Sequence, residues 1–297
     1  MRTVSIDRWK FQLPEAWNEM NEQHCRLLIR ATASSRNKLH VQTILALEFL
    51  NLKLMSRDAF VIDQQTHRKR PVLSSDPYEK RLYHIRHGIS TVFICSAADI
   101  ALLASSLDFL FSKPKENVVT VNSELTSNFL PTVKLGKRTY HGPRSLFDGV
   151  TFGQFEEAEI AWAECSEGNP TRARDAMAAM YKSSPFERET PQAAEQKRKD
   201  FQRITNEQLR MFALYYEGSK KALASYYSDI FGAAVQPDNG NPFESQRMLS
   251  EEVSESFILM TNLLSKLDTT KVNSIRECYL YDTLNTLVAL KKTTPQQ

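Results

Sequence analysis

Apolar and polar positions change their rhythm near the middle of this chain. From residue 151 onward, apolar residues recur at three- and four-residue steps, the spacing that keeps one face of an α-helix apolar. The clearest segment is 146–182, LFDGVTFGQFEEAEIAWAECSEGNPTRARDAMAAMYK. Thr151 with Gln154 has the form of a capping box, and Phe152, Phe155, Ala158, Trp162 and Cys165 then fall on one face. Residues 166–170 read as a turn. Ala173, Ala176, Met177, Met180 and Tyr181 form a second stripe, so the segment predicts an αα-hairpin. Glu156, Glu157 and Glu159 fall in the first turns, where carboxylates favour the positive helix end. With Glu164 they are expected to face water or to partner Arg172 and Arg174.

The helical period continues. Pro191 opens a charged helix over 192–203. Thr205 with Gln208 caps the next helix, in which Leu209, Phe212, Ala213, Tyr216, Leu223, Tyr227 and Ile230 keep one register, with a kink expected at Gly218-Ser219. Residues 232–242, with Gly, Pro, Asn and Asp together, read as a loop. Val253, Phe257, Met260, Leu264 and Leu267 form a narrow stripe in a further helix. Thr269 or Thr270 caps the last one, with Val272, Ile275, Tyr279, Thr286, Leu287 and Leu290 expected inward.

The first half is mixed. Residues 4–13 alternate as a strand, while 21–31 and 39–52 read as neighbouring antiparallel helices. The polar stretch 64–80 reads as an exposed loop. Residues 81–95, rich in β-branched and aromatic side chains, predict one bent strand or a hairpin. Ser96 with Asp99 caps a hydrophobic helix running to residue 111, and 118–121 and 132–140 read as strands. The expected fold class is therefore mainly α: a helical bundle of antiparallel hairpins, with a small β element in the N-terminal half.

Composition adds a division. At 41% hydrophobic and 25% charged, the chain is expected to be globular for most of its length. Residues 1–150 carry 21 Lys and Arg against 14 Asp and Glu, and residues 151–297 carry 17 against 21. The expected domains are a basic α+β region over 1–149 and an acidic all-α region over 150–297. Opposite charge suits either two domains that attract each other or a basic half that meets a polyanion. The four cysteines are scattered without a CxxC pair, which disfavours zinc. Cys165 and Cys278 are expected to be buried reduced thiols. No signal-peptide pattern opens the chain. The most apolar stretch, 94–111, is interrupted by Asp99 and Asp108 and reads as a buried helix instead of a membrane span.

Three groups of residues invite a functional reading. LYHIRHGIST, residues 82–91, resembles the signature of the histidine phosphatase family. That resemblance implies Arg86 as phosphate clamp and His87 as nucleophile, followed by Gly88, with His141 as the second histidine. Its late position and the helical remainder of the chain argue against the parallel sheet such an enzyme needs. Arg68, Lys69 and Arg70, with Lys137, Arg138 and Arg144, are candidate polyanion contacts. Tyr215, Tyr216, Tyr226 and Tyr227 are candidates for a protein interface. With no Walker loop, GxGxxG, GxSxG or HExxH, the sequence assigns no catalytic, metal-binding or cofactor-binding residue and no cofactor.

Three segments carry a broader likeness: VTFGQFEEAEIAWAECSEGNPTRARDAMAAMYK, LPEAWNEMNEQHCRLL and ALYYEGSKKALASYYSDIF. Together they resemble uncharacterised proteins of Bacteroidetes phages and prophages. Tyr181-Lys182 stands where that pattern often has Tyr-Arg-Pro, with Ser183 replacing the proline. The resemblance implies a gene near tail-tube and tape-measure genes, and so a minor virion, tail or tail-assembly role without catalysis. The implied partners are other phage structural or assembly proteins, with homo-oligomers a further option and nucleic acid not favoured. The implied location is the host bacterial cytoplasm during assembly, or the virion.

Overall fold

A computed structural model shows a mainly α-helical fold with small antiparallel β elements. It describes residues 1–6, 9–35, 37–56, 60–62, 69–71, 82–87, 91–112, 119–184, 190–231 and 250–293. The chain divides into two compact units, Met1–Asn122 and Ser123–Gln297. This boundary precedes the change of charge at 149/150, so the second unit includes residues 123–149 as well as the acidic helices.

In the first unit, β1 (Arg2–Ile6) and β2 (Trp9–Leu13) pair antiparallel, so the one strand expected over 4–13 is two. Asn21 caps α1 (Glu22–Ser34): its side chain accepts the His24 N–H at 2.9 Å, satisfying an otherwise orphaned donor. Asn37 caps α2 (Lys38–Phe49) in the same way. This helix stops short of the expected residue 52 because Asn51 turns left-handed, with φ 51°. Leu52 then starts β3 (Leu52–Ser56).

β4 (Phe60–Ile62) pairs with β5 (Lys69–Pro71), so part of the expected 64–80 loop is strand. β6 (Leu82–His87) and β7 (Thr91–Ser96) form a hairpin, and β6 also pairs with β3, giving an antiparallel sheet of order β3-β6-β7. The expected Ser96–Asp99 capping box opens α3 (Ala97–Ser105), which gives way to a 3-10 turn at Asp108–Leu110. Leu28, Val41, Leu45, Ile85, Cys95, Leu103 and Leu110 form the core. Burial pushes the Cys25 and Cys95 thiols up to about 12.

In the second unit, β8 (Thr132–Leu135) and β9 (Arg138–His141) form a hairpin whose turn holds Gly136 at φ 63°. The predicted αα-hairpin follows as α4 (Phe152–Ser166) and α5 (Arg172–Met180), opened by the Thr151–Gln154 capping box. Next come α6 (Pro191–Phe201), α7 (Asn206–Tyr226) and the short α8 (Ser228–Phe231). α9 (Ser250–Ser265), α10 (Val272–Glu277) and α11 (Leu280–Thr293) complete the described helices. The core is aromatic: Phe147, Phe152, Phe155, Phe201, Phe212, Tyr140, Tyr181, Tyr215 and Tyr216 are all fully buried.

Two expectations fail here for identifiable reasons. α7 runs unbroken through Gly218-Ser219. Gly218 serves a close approach instead: a Cβ there would overlap the Leu125 backbone and lie 2.7 Å from the Glu124 carbonyl carbon. The helix expected from residue 272 onward breaks between Glu277 and Leu280. The Cys278 carbonyl accepts the Phe152 N–H and the Leu280 N–H donates to the Val150 carbonyl, both at 2.9 Å, so this backbone serves a bridge to Thr151. Cys278 and Tyr279 are thereby exposed instead of buried, and Cys165 is half-buried.

Candidate functional site

α9 presents the most distinctive surface among the described residues. Glu251 and Glu252 occupy its first turn, where carboxylates favour the positive helix end. Phe257, Thr261 and Ser265, four residues apart, are buried. The Phe257 ring centroid lies 5.4 Å from that of Phe152 and 6.0 Å from that of Phe155. The opposite face is also apolar. Ile258, Leu259, Leu263 and Leu267 are exposed, Leu259 by 69% and Leu267 by 77%. Isolated surface leucines are ordinary, whereas Ile258, Leu259 and Leu263 are neighbours on one exposed side of the helix, with Leu267 just beyond its end.

The helix ends in a way that keeps Leu267 outside. Lys266 and Leu267 are both left-handed, with φ 52° and 65°, a conformation that costs a non-glycine residue about 1–2 kcal/mol. The Leu267 N–H returns to the Asn262 carbonyl at 3.1 Å, and Asp268 then caps the next turn through Thr270. Of the expected stripe of Val253, Phe257, Met260, Leu264 and Leu267, only Phe257 is buried; Val253, Met260 and Leu264 are half-buried and Leu267 is exposed. The doublets Ile258-Leu259 and Leu263-Leu264 were the overlooked sign, since adjacent helix positions lie 100° apart and widen the apolar arc beyond one face.

A cleft of about 460 Å³ lies elsewhere in this unit, lined by His141, Arg144, Lys182, Asp148, Tyr281 and Asp282 among others. Lys182 Nζ donates to the Gly149 carbonyl at 3.0 Å, and Arg144 lies 3.6 Å from Asp148. Two carboxylates thus face two permanent cations, and the cleft has no charge excess with which to select a polyanion.

The other polyanion candidates do not gather around it. Arg138 Nη1 donates to Asp200 Oδ2 at 3.0 Å, and the Tyr140 hydroxyl donates to the same oxygen at 2.6 Å. Burial alone would raise the Asp200 carboxyl, but the hydrogen bonds from Tyr140, Arg138 and Gln196 outweigh it and hold it below its ordinary value. Lys137 is exposed beside Gly136. Lys69 and Arg70 lie on β5, and Arg68 and Gly88 fall outside the described residues. Arg86 and His87 are consecutive on β6, so they point to opposite faces of an antiparallel sheet. His87 stacks edge-on against Phe11. His141 belongs to the second unit.

The tyrosine candidates are largely core. Tyr215 and Tyr216 are buried, not interfacial. The Tyr215 hydroxyl accepts the Phe147 N–H at 3.1 Å and donates to the Arg144 carbonyl at 2.8 Å. The Tyr216 hydroxyl donates to Glu159 Oε1 at 2.6 Å, and Lys220 Nζ lies 2.6 Å from Glu159 Oε2. Glu159, expected in water, is therefore buried with two partners. Trp162 donates to Glu217, whose carboxyl burial pushes up. Tyr227 is buried, its hydroxyl 3.0 Å from Asn285 Oδ1, while Tyr226 remains 87% exposed. The acidic face of α4 meets Arg172 at Glu164, as expected, and Arg276 at Glu156 and Glu157.

Among the described residues no group of His, Cys, Asp and Glu is placed to hold a metal ion, and no helix is long and apolar enough to cross a membrane. Compared with protein-family models, curated proteins and solved structures, the chain matches none.

Proposed function

We propose that this chain is a non-enzymatic structural or assembly protein that acts through protein–protein contacts, in a bacteriophage or phage-like particle. The observation that carries the contact reading is the outer face of α9, where Ile258, Leu259 and Leu263 stand in solvent on a helix already anchored by Phe257, with Leu267 exposed just past its end. Burying such side chains against a partner is favourable by about 25 cal/mol per Å². The resemblance of the α4–α5 hairpin to phage structural-region proteins supplies the setting: a minor virion or tail component, or a tail-assembly factor. Nucleic-acid contact has less support, because Arg138 is tied to Asp200 and the cleft at Arg144 is charge-balanced.

The test is mass spectrometry of purified particles and of assembly intermediates. Stoichiometric presence in particles identifies a virion part, and presence in intermediates alone identifies an assembly factor. Absence from both overturns the proposal.

A further inference from the structure

We infer that Lys53 and Arg86, on the outer side of the β3-β6-β7 sheet, bind a phosphate dianion, free or carried as a monoester. The site lies in the first unit and does not rest on the contact reading above. Lys53 on β3 and Arg86 on β6 are directly opposite partners in the antiparallel register. Their side chains therefore leave the sheet on the same side, with Cβ atoms about 5 Å apart. Leu52, Ile85 and Cys95 point to the other side and are buried, so the two cations stand on the outer one. Ile94, on that same outer side of β7, is exposed.

Two observations set this pair apart. Like charges directly opposite each other weaken a sheet, and the three strands, LKLMS, LYHIRH and TVFICS, contain no Asp or Glu to offset them. In addition, Arg86 Nε is buried and has no hydrogen-bond partner among the described residues. A buried donor without an acceptor is costly, and folded proteins keep one where an ion or ordered water reaches it. The chemistry of the pair sets the class of ligand. The guanidinium is a planar fork that matches two oxygens of an oxyanion, and the lysine ammonium brings a second, mobile charge. A carboxylate would neutralise one of the two cations. A phosphate monoester carries about −1.5 to −2 charges at pH 7 and three acceptor oxygens, so it neutralises both and reaches both side chains at once. His87 lies on the opposite side, edge-on to Phe11, so the pair binds phosphate without offering it a nucleophile.

Isothermal titration calorimetry of the full chain at matched ionic strength tests this. The probes are inorganic phosphate, glucose 6-phosphate and a single-stranded oligonucleotide without terminal phosphates. Both phosphate probes should bind, and Lys53→Gln and Arg86→Gln should each weaken that binding by about tenfold or more, the equivalent of one charge-assisted hydrogen bond. Arg86→Lys should also weaken it, because the charge stays while the fork is lost. Without phosphate, Lys53→Gln should raise the urea midpoint, since it removes the repulsion and keeps most of the stem. Added phosphate should raise the wild-type midpoint and leave that of Lys53→Gln in place. Tighter binding of glucose 6-phosphate than of phosphate assigns the site to a phosphorylated small molecule, and the reverse assigns it to free phosphate. No binding of either phosphate probe, binding untouched by Lys53→Gln, or an oligonucleotide bound as tightly as the monoester overturns the inference.

Discussion

α7 and α9 belong to the same compact unit and both follow the helical period, yet they dispose of their apolar side chains differently. α7 buries Met211, Phe212, Tyr215, Tyr216 and Leu223, and the hydroxyls of its paired tyrosines are satisfied inside the core. α9 buries Phe257 with two small polar residues and leaves three large aliphatic side chains in solvent. By hydrophobicity alone, the leucines of α9 should be the core and the tyrosines of α7 the rim. The inversion arises because tyrosine can be buried at little cost when its hydroxyl finds a partner, and the tyrosines of α7 find theirs at Arg144 and Phe147, ahead of α4, and at Glu159 on α4. An aliphatic side chain has no such requirement and lies wherever the neighbouring surface leaves it.

The sharpest way to break this contrast is truncation on each helix. Phe212→Ala should lower stability by about 3–5 kcal/mol, the usual cost of an aromatic-sized cavity, read from urea unfolding. Gly218→Ala should come next, at roughly 3 kcal/mol, because the added methyl meets backbone and not a side chain that can move aside. Tyr216→Phe should cost about 2 kcal/mol, since it removes a hydrogen bond to the buried, charged Glu159. Leu259→Ser on α9 should change monomer stability by less than about 0.5 kcal/mol. A loss as large as that of Phe212→Ala would show that Leu259 is covered within the chain.

Acid titration sharpens the comparison with respect to charge. The Asp200 carboxyl is held below its ordinary value, so its contribution to stability is present above about pH 4, near the unfolded value, and is lost as pH falls through the folded one. Asp200→Asn should thus be destabilising at pH 7, with the difference from wild type shrinking in acid. Glu217 is shifted the other way by burial, so its ionisation weakens the fold as pH rises above about 4, the unfolded value. Glu217→Gln should be more stable than wild type at pH 7, with the gap closing in acid. Denaturant midpoints of the two variants from pH 3 to 7 should diverge in opposite directions from wild type. Parallel curves would refute the assignment.

Much of the fold was legible in the residues. The capping boxes at Ser96, Thr151 and Thr205, the α4–α5 hairpin, Pro191 at the start of α6 and the mainly α class all follow from patterns spanning a few residues. The candidate site was not legible. Its anchor, Phe257, was visible in the α9 stripe, but Ile258, Leu259 and Leu263, all exposed, could have faced either way. Likewise Glu159 reads as one more surface carboxylate beside Glu156 and Glu157 until Tyr216 and Lys220, far along the chain, are brought against it.

By itself, then, the sequence determined where helices begin, which type of element forms and the one-sided period of α4 and α5. Those choices depend on backbone donors and side chains within three or four positions, so they are decided locally. The tertiary structure alone decided that Tyr215, Tyr216 and Glu159 lie inside, that the last helix breaks at Cys278, and that α9 keeps a second apolar face in water. Burial and hydrogen-bond satisfaction are properties of two surfaces meeting, and the second surface lies too far along the chain for any local pattern to specify it.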